Sequence, residues 1–115
     1  MKRGDVWWAE LGRSAGSEAD KVCPVVIVGR TSASEAAVRA GRGVVTVVPL
    51  TSNVSKVYAM QVLVDGNEAG LPQASKAQAE QVRSIDVARV RRQCGHLPEA
   101  TMHALDQALR LHLNL

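Results

Sequence analysis

The sequence predicts a mainly β fold with one C-terminal helix, and three features of the chain indicate it. Short apolar, β-branched runs recur along most of the chain, as in a protein built from many short strands. Polar stretches that contain Gly, Pro or Ser separate these runs. The segment 98–113 instead has apolar residues at helical spacing. Several short strands followed by one terminal helix predict a compact barrel or sandwich with the helix on one side.

Four strands stand out in the first part of the chain. The first is expected at Val6–Ala9 and the second at the continuous apolar run Pro24–Val28. Continuous β-branched runs are typical of buried strands. The third strand is expected at Val44–Val48, and Pro49 is expected to end it because proline cannot donate to a sheet ladder. The fourth is expected from Tyr58 to Val64.

Between and after these strands the sequence predicts loops and shorter elements. Gly, Ser and charged residues indicate an exposed loop at Gly12–Asp20. The stretch 31–43 is expected to be a loop with a short helical piece around Glu35–Ala40. Asp86 can cap a short helix, since Asp accepts backbone N–H bonds at helix starts. The remaining expected elements are a loop at Asp65–Pro72, a strand near Gln81–Ile85, the short helix Val87–Arg91 and a strand at Arg92–Leu97.

The clearest helix is the last element, which begins at Pro98. Proline suits a first helical turn, and the acidic Glu99 favours the positive end of the helix dipole. His103 and His112 lie about 180° apart around such a helix, so they cannot converge on one site within a protomer. This argues against a catalytic histidine pair here. The apolar stripe of the helix consists of Met102, Leu105, Leu109 and Leu113.

The charge of the chain favours an anionic partner. The 115 residues have a formal net charge of +3 and a pI of about 9.2. A mildly basic chain favours nucleic acid or an acidic protein as its partner. Trp7, Trp8 and Tyr58 are the only aromatic residues, too few for an aromatic base-stacking platform of the kind used by RNA-recognition modules.

Chain length and cysteine content narrow the class further. The chain suits a single domain over 1–115. No apolar stretch approaches the roughly 20 residues of a membrane span, and Met1–Asp5 does not lead into the apolar core of a signal peptide. We therefore expect a cytoplasmic protein with Cys23 and Cys94 reduced. Together with His96 these cysteines fall short of a four-ligand zinc site, so neither a metal nor a cofactor is expected.

Five sequence blocks occur along the chain in one order. They are Arg3-Gly4-Asp5-Val6-Trp7-Trp8, then Gly16-Ser17-Glu18 followed by Pro24, then Val47-Val48-Pro49-Leu50-Thr51-Ser52-Asn53, then Glu80-Gln81-Val82-Arg83-Ser84-Ile85-Asp86, and finally Gly95 and Leu97 before the helix. In these blocks and their order the chain resembles, from end to end, the MazF/PemK family of toxins of type II toxin–antitoxin systems.

The resemblance implies an SH3-like small barrel that forms a homodimer, with an RNA groove where the two barrels meet. Members of this family are metal-independent endoribonucleases that cut single-stranded RNA, including mRNA, at short sequence motifs and so inhibit translation and growth. A cognate antitoxin silences them by laying an acidic, flexible C-terminal segment over the groove. A mildly basic chain suits both the RNA and the antitoxin.

The catalytic groups of the family fall on two positions of this chain. The family's threonine after the central strand corresponds to Thr51, whose hydroxyl would donate to the phosphate; the alternative is an ordinary turn threonine. The family's arginine falls on Cys23, and a thiol lacks the five charged donors of a guanidinium group. The resemblance therefore implies a weak or inactive ribonuclease unless another cation substitutes. Lys21 is the first candidate, and a solvated loop lysine is the alternative.

Six further positions are expected by resemblance to contact RNA. Glu18 corresponds to a loop glutamate near the groove, and Lys56 suits a backbone phosphate contact. Gln81 and Ser84 match positions that line the RNA path, or are ordinary polar surface residues. The full set is Glu18, Ser52, Asn53, Lys56, Gln81 and Ser84. The basic cluster of Arg89, Arg91 and Arg92 is either a solvated face or an RNA patch.

Two other functions stay open at this point. A non-catalytic protein on the same scaffold would bind RNA or the antitoxin without cutting, and Cys23 is the reason to consider it. A toxin that poisons DNA gyrase would share the barrel and use the end of its C-terminal helix. Here the residues 111–115 end the chain in a largely apolar stretch, and the blocks around Thr51 and Glu18 favour the nuclease.

Overall fold

The computed structural model describes residues 1–13 and 20–115, which form a mainly β fold with a helix at the C-terminal end. The predicted fold class is therefore confirmed. The described strands are β1 (Asp5–Arg13), β2 (Asp20–Ile27), β3 (Val44–Thr51), β4 (Gln61–Val64), β5 (Ser75–Gln78), β6 (Arg83–Asp86) and β7 (Val90–His96). The described α-helices are α1 (Thr31–Ala40), α2 (Gly66–Ala69) and α3 (Glu99–Leu113).

The strand β3 connects the two parts of the sheet. The strand order is β4-β5-β3-β2-β1-β7, and the paired strands are antiparallel. One edge of β3 pairs with β2. The other edge pairs with β6 over residues 44–47 and then with β5 at Leu50 and Thr51. The C-terminal end of β3 is thus held between β2 and β5.

Pro49 lies inside β3, so the prediction that it ends the strand is wrong. The N–H groups of Val28 and Gly29 donate to the carbonyl oxygen of Thr46, so Thr46 faces β2. Because backbone groups alternate along an antiparallel strand, Val48 faces β2 as well and Pro49 faces the other edge. The partner strand changes from β6 to β5 at this place. The N–H that proline lacks would therefore point into a gap between partners.

Side chains of the sheet enter two separate cores, one on each face. One core contains Leu105 of α3 together with strand residues such as Val48. The other contains Ala37 of α1 together with strand residues such as Val47. Neighbouring residues of β3 face opposite cores, since side chains alternate along a strand. This explains why the adjacent residues Val47 and Val48 are both apolar.

The two tryptophans of β1 lie on opposite faces of the sheet, because adjacent side chains of a strand alternate. Trp8 packs against the core that contains α3, and Trp7 packs against the core that contains α1. Both side chains are half-buried. The first strand therefore contributes one large aromatic ring to each core.

The helix α1 replaces most of a predicted loop. Only a short helical piece around Glu35–Ala40 was expected, whereas the helix includes the Thr, Ser and Ala residues before it. Ser34 and Ala37 are the buried residues of this helix, so the small side chains allow it to pack closely against the sheet. Gly41 then ends the helix with a left-handed φ of 68°.

The first two strands are longer than predicted. β1 continues to Arg13, and β2 begins at Asp20 rather than at Pro24. The two strands overlap the ends of the predicted loop Gly12–Asp20 at residues 12, 13 and 20, so the loop is shorter than expected. The residues 14–19 of that loop lie outside the described residues.

Several boundaries shift after β3. β4 begins only at Gln61, because Tyr58 belongs to a turn in which its carbonyl accepts the N–H of Gln61. The predicted loop at Asp65–Pro72 contains the short helix α2, whose first turn is capped by the Asp65 carboxylate. The strand expected near Gln81–Ile85 is present as β6, and β5 and a 3₁₀ turn at Ala79–Gln81 precede it.

Asp86 acts as a cap, as predicted, but the element it starts is shorter than expected. Its Oδ1 accepts the N–H of Ala88 at 2.9 Å. The capped element is a 3₁₀ turn over Val87–Arg89 rather than a helix to Arg91. β7 consequently begins at Val90, two residues before the predicted strand.

The residues before and at the start of β1 fix α3 to the sheet. Arg3 Nε donates to the carbonyl oxygen of Val28 at 2.8 Å, and its Nη2 donates to Asp106 Oδ1 at 2.7 Å. Asp5 is buried, and its Oδ1 lies 2.8 Å from Nδ1 of His96. The Arg-Gly-Asp block of the sequence is therefore a structural anchor that links β1 to β2, β7 and α3.

The helix α3 buries only one face. Leu105, Ala108 and Leu109 are buried, whereas His103 and His112 are exposed. In the described residues, 1–13 and 20–115, no helix has the length and the hydropathy that a membrane span requires.

We expect Leu105→Ala to lower the free energy of unfolding by about 2–5 kcal/mol, because Leu105 is fully buried and its truncation leaves a cavity. Urea denaturation measures the change. Leu115→Ala is the matched control: Leu115 is 83% exposed, so its truncation should change stability by less than about 0.5 kcal/mol. Equal losses in the two variants would contradict the described packing of α3.

A second expectation concerns alkaline pH. Burial raises the pKa of the Cys94 thiol, while the positive charge of Arg92 and a backbone hydrogen bond with Trp8 act in the other direction. As the pH rises through the ordinary thiol pKa, the unfolded chain therefore loses this proton before the folded chain does. The free energy of unfolding should fall as pH rises through and above that value, and be unaffected by this group at neutral pH.

Urea denaturation at neutral pH and near the ordinary thiol pKa of 9.0 would test this expectation. Cys94→Ala removes the titrating group, so its stability should fall less between the two conditions. An identical fall in the variant and the parent would show that Cys94 is not the source.

Candidate functional site

A cavity of about 240 Å³ opens beside the C-terminal end of β3. Its volume lies below the roughly 300–1,000 Å³ of drug-sized pockets, so it suits one part of a polymer, such as a sugar with its phosphate. Residues from β1, β2, β3 and the segment before β5 surround it. The lining residues are Trp8, Val22, Cys23, Pro24, Leu50, Thr51, Ser52, Leu71, Pro72, Gln73 and Ser75.

The cavity brings together Cys23 and Thr51, the two positions at which the resemblance placed catalytic groups. Val25 pairs with Pro49 in the register of β2 and β3. The paired residues end there; the same register continued by two residues would place Cys23 opposite Thr51. Side chains at opposed positions lie on the same face of a sheet. An arginine at position 23 would therefore start from the strand position beside the Thr51 hydroxyl.

The Thr51 hydroxyl is fixed by the turn that follows it. The backbone N–H of Asn53 donates to Thr51 Oγ1 at 3.3 Å. The side-chain oxygen of Asn53 accepts the N–H of Ser55 at 3.3 Å and its hydroxyl at 2.9 Å, which holds this turn together. Because Oγ1 accepts in this geometry, its hydroxyl proton is left to donate to a ligand in the cavity.

The cavity has hydrogen-bonding groups but no charge: among the described residues that line it, none has an ionisable acid or basic side chain apart from the Cys23 thiol. Cys23 itself is only 8% exposed and belongs to the core that contains Val25 and Ile27. An anion in the cavity would thus receive hydrogen bonds from Thr51 without a cation on the cavity wall.

The segment 52–60, which connects β3 to β4, is held by side chains of the sheet. Lys76 Nζ donates to the carbonyl oxygen of Lys56 at 2.6 Å. Gln61 Oε1 accepts the N–H of Tyr58 at 3.0 Å, and its Nε2 donates to Glu80 Oε2 at 2.8 Å. Two separate contacts therefore position the backbone of the segment that follows Thr51.

Lys76 was not among the residues expected from the sequence. It is 7% exposed and pairs with Thr51 in the register of β3 and β5. A signal was present, because Ala77 and Ala79 alternate with polar residues over Ser75–Ala79, as in a strand with one apolar face. That pattern predicts that Lys76 faces solvent. In the folded protein the segment 52–60 covers its side chain, and this contact is not evident from the sequence.

The structure places the other expected residues at different distances from the cavity. Ser52 lines it, whereas Asn53 and Lys56 lie in the exposed segment that follows. Gln81 and Ser84 are exposed near β6 and do not line it. Glu18 lies outside the described residues. The backbone of Lys21 lies in β2, and its side chain is outside the description.

The basic cluster lies around the start of β7. Arg91 forms an ion pair with Glu10 of β1, and Arg89 and Arg92 are exposed. Part of this cluster is therefore engaged in a contact between neighbouring strands. In the described part of the chain, no three His, Cys, Asp or Glu side chains are grouped so that they could hold a metal ion.

A family model described as "PemK-like, MazF-like toxin of type II toxin-antitoxin system" matches residues 2–113. The chain is 48% identical over 115 residues to the endoribonuclease MazF9 of Mycobacterium tuberculosis, with 100% of this chain and 98% of that protein covered.

Solved structures agree with the sequence match. The Mycobacterium tuberculosis toxin MazF-mt6 superposes with a TM-score of 0.76 at 29% identity, covering 96% of this chain and 97% of that one. A mycobacterial endoribonuclease in complex with its cognate antitoxin gives a TM-score of 0.77 at 20% identity, with 100% and 96% covered, which supports the fold.

Proposed function

Since the chain belongs to the family of PemK-like, MazF-like toxins of type II toxin–antitoxin systems, we propose that it is an endoribonuclease toxin that cuts single-stranded RNA, including mRNA, at short sequence motifs without a metal ion. Cleavage of mRNA would inhibit translation and growth. The observation that carries this proposal is that Thr51 and position 23 share one cavity.

The proposed reaction needs few protein groups because RNA contains its own nucleophile. The ribose 2′-oxygen attacks the adjacent phosphorus and loses its proton, and the bond from phosphorus to the 5′-oxygen breaks. The products are a 2′,3′-cyclic phosphate and a 5′-hydroxyl. The protein has to accept one proton, donate another to the leaving oxygen, and stabilise the added negative charge on the phosphate.

Thr51 is proposed to stabilise that charge. Its hydroxyl lies at the cavity and is oriented by the N–H of Asn53. A fixed donor costs little reorganisation when charge develops, which is the basis of electrostatic catalysis. The geometry therefore supports Thr51 as a hydrogen-bond donor to the phosphate.

Cys23 is proposed to make this chain slower than a member of the family with arginine there. A thiol cannot supply the permanent charge and the planar donors of a guanidinium group. It can exchange a proton, but as a thiolate it would repel phosphate. Lys21 remains the proposed substitute cation from the segment that leads into the cavity.

The rest of the RNA is proposed to follow the segment after Thr51 and the strand β6. Lys56 is exposed and suits a phosphate, while Ser52 and Asn53 offer hydrogen bonds near the cavity. The exposed Gln81 and Ser84 would contact nucleotides further along the RNA strand. Glu18 would contact the RNA from the loop between β1 and β2.

The partners proposed for this chain follow from its family. A cognate antitoxin with an acidic, flexible C-terminal segment would inhibit the toxin by covering the RNA site, and the net charge of +3 favours both ligands. A homodimer would place two such sites beside one shared groove. The cytoplasm is the proposed place of action, since mRNA is found there.

A second candidate function is RNA or antitoxin binding without cleavage. The uncharged cavity wall and the buried Cys23 favour it, because a phosphate can bind through Thr51 and Lys56 without being cut. Cleavage and binding therefore have to be measured separately.

We expect Cys23→Arg to raise the rate of cleavage by roughly 10²–10³-fold, the usual effect of one donor in a transition-state site. The assay uses a long, mixed-sequence single-stranded RNA in EDTA, with the 5′ ends of the products mapped. Cys23→Met is the matched control: it adds a flexible chain without charge and should leave the rate unchanged. Equal rates in the arginine variant and the parent would show that the cysteine at position 23 does not slow cleavage.

In the Cys23→Arg background, Thr51→Val should lower the cleavage rate by roughly 10²-fold while thermal unfolding changes little, because the hydroxyl makes one long hydrogen bond in the folded protein. Thr46→Val on the same strand, outside the cavity, should leave cleavage intact. If both threonine variants were fully active, Thr51 would have no part in the reaction.

A further inference from the structure

We propose that Lys76 supplies a buried positive charge to an RNA phosphate bound at Thr51, an inference that rests on the proposed function. In this chain the charge would act from beneath the cavity rather than from its wall. Lys76 is thus a positioning residue for the substrate.

The burial of Lys76 is unusual for its chemistry. Its side chain is 7% exposed, although lysine is almost never fully buried unless it is paired. Its ammonium donates to the carbonyl oxygen of Lys56 and lies 5.5 Å from the centre of the Tyr58 ring. Among the side chains that the structure describes, no carboxylate lies at ion-pair distance from it. In the described structure this ammonium therefore contacts a carbonyl dipole and an aromatic ring but no anion.

The position of Lys76 in the sheet directs this charge to the proposed site. Thr51 and Lys76 are opposed residues of β3 and β5, and opposed side chains lie on one face with Cβ atoms about 4.5–5.5 Å apart. Ser75, the preceding residue, lines the cavity and faces away from Lys76, because side chains alternate along a strand. Lys76 therefore approaches the site from the face that it shares with Thr51. A phosphate that accepts the Thr51 hydroxyl would lie near the ammonium.

The same ammonium also holds the segment that fixes Thr51. It binds the carbonyl of Lys56, and Asn53 of that segment donates to Thr51 Oγ1. The described residues that line the cavity have no positive charge, whereas Lys76 pairs with Thr51 in the register of β3 and β5.

The test measures RNA binding rather than cleavage. The probe is a fluorescently labelled, random-sequence single-stranded oligonucleotide with 2′-fluoro sugars, which lacks the attacking hydroxyl. Lys76→Gln keeps an N–H donor for the Lys56 carbonyl and removes the charge, and Lys76→Arg keeps the charge. Lys2→Met removes an exposed lysine from the start of the chain and serves as the charge-matched control.

The expected result is that Lys76→Gln binds the probe about tenfold more weakly and that its plot of log affinity against log salt is shallower by roughly 0.7, the contribution of one phosphate contact to a single strand. Lys76→Arg should restore both values, and Lys2→Met should match the parent. Thermal unfolding establishes that each variant is folded at the assay temperature.

Three results would overturn the inference. The first is an unchanged affinity of Lys76→Gln for the probe. The second is weaker binding with an unchanged salt slope, which is what the loss of a purely structural contact would give. The third is that Lys76→Arg does not restore the affinity and the slope. If Lys76→Gln unfolds, the comparison of Lys76→Arg with the parent protein is the test. A site that needs only the positive charge should give Lys76→Arg the same affinity and the same salt slope as the parent. A parent protein that binds the probe through Lys76 but does not cut RNA would support this inference while refuting the proposed nuclease activity.

Discussion

The change of partner along one edge of β3 is the constraint on which the site depends. β6 pairs with the first half of this strand and β5 with its end, while β2 lies along the other edge. Thr51 is therefore held between position 23 on one neighbouring strand and Lys76 on the other. Pro49 fits at the change because its missing N–H points into the gap. A reacting group on a strand so fixed has little freedom to move.

The two cores explain why the site can tolerate an uncharged wall. Cys23 packs with one core and Leu50 with the other, and both residues line the cavity. An arginine placed at position 23 has to leave this apolar environment with its long stem along the wall, as basic side chains commonly do. Cysteine fills the same place without that requirement. Compared with an arginine, Cys23 thus packs in the core but supplies no charged donor to the cavity.

Local signals predicted the elements whose stability is local. The uninterrupted β-branched run of β3 and the apolar stripe of α3 were evident, and the order of blocks indicated the family and with it Thr51. The first turn of α1 was missed because its Thr, Ser and Ala residues are typical of loops, and their helical state depends on packing at Ala37. Lys76 was missed because its burial results from the segment 52–60 folding over β5, a contact between distant parts of the chain.

The pairing of β1 with β7 affects how the protein is made. Asp5 is opposite His96 in the sheet, so β1 lacks one neighbour until β7 has left the ribosome. Until then its free edge can pair with any exposed strand nearby. Arg3 likewise waits for Asp106 on α3. The sheet of a nascent chain is consequently complete only after β7 has been made, and a product terminated before β7 would keep an unpaired strand edge.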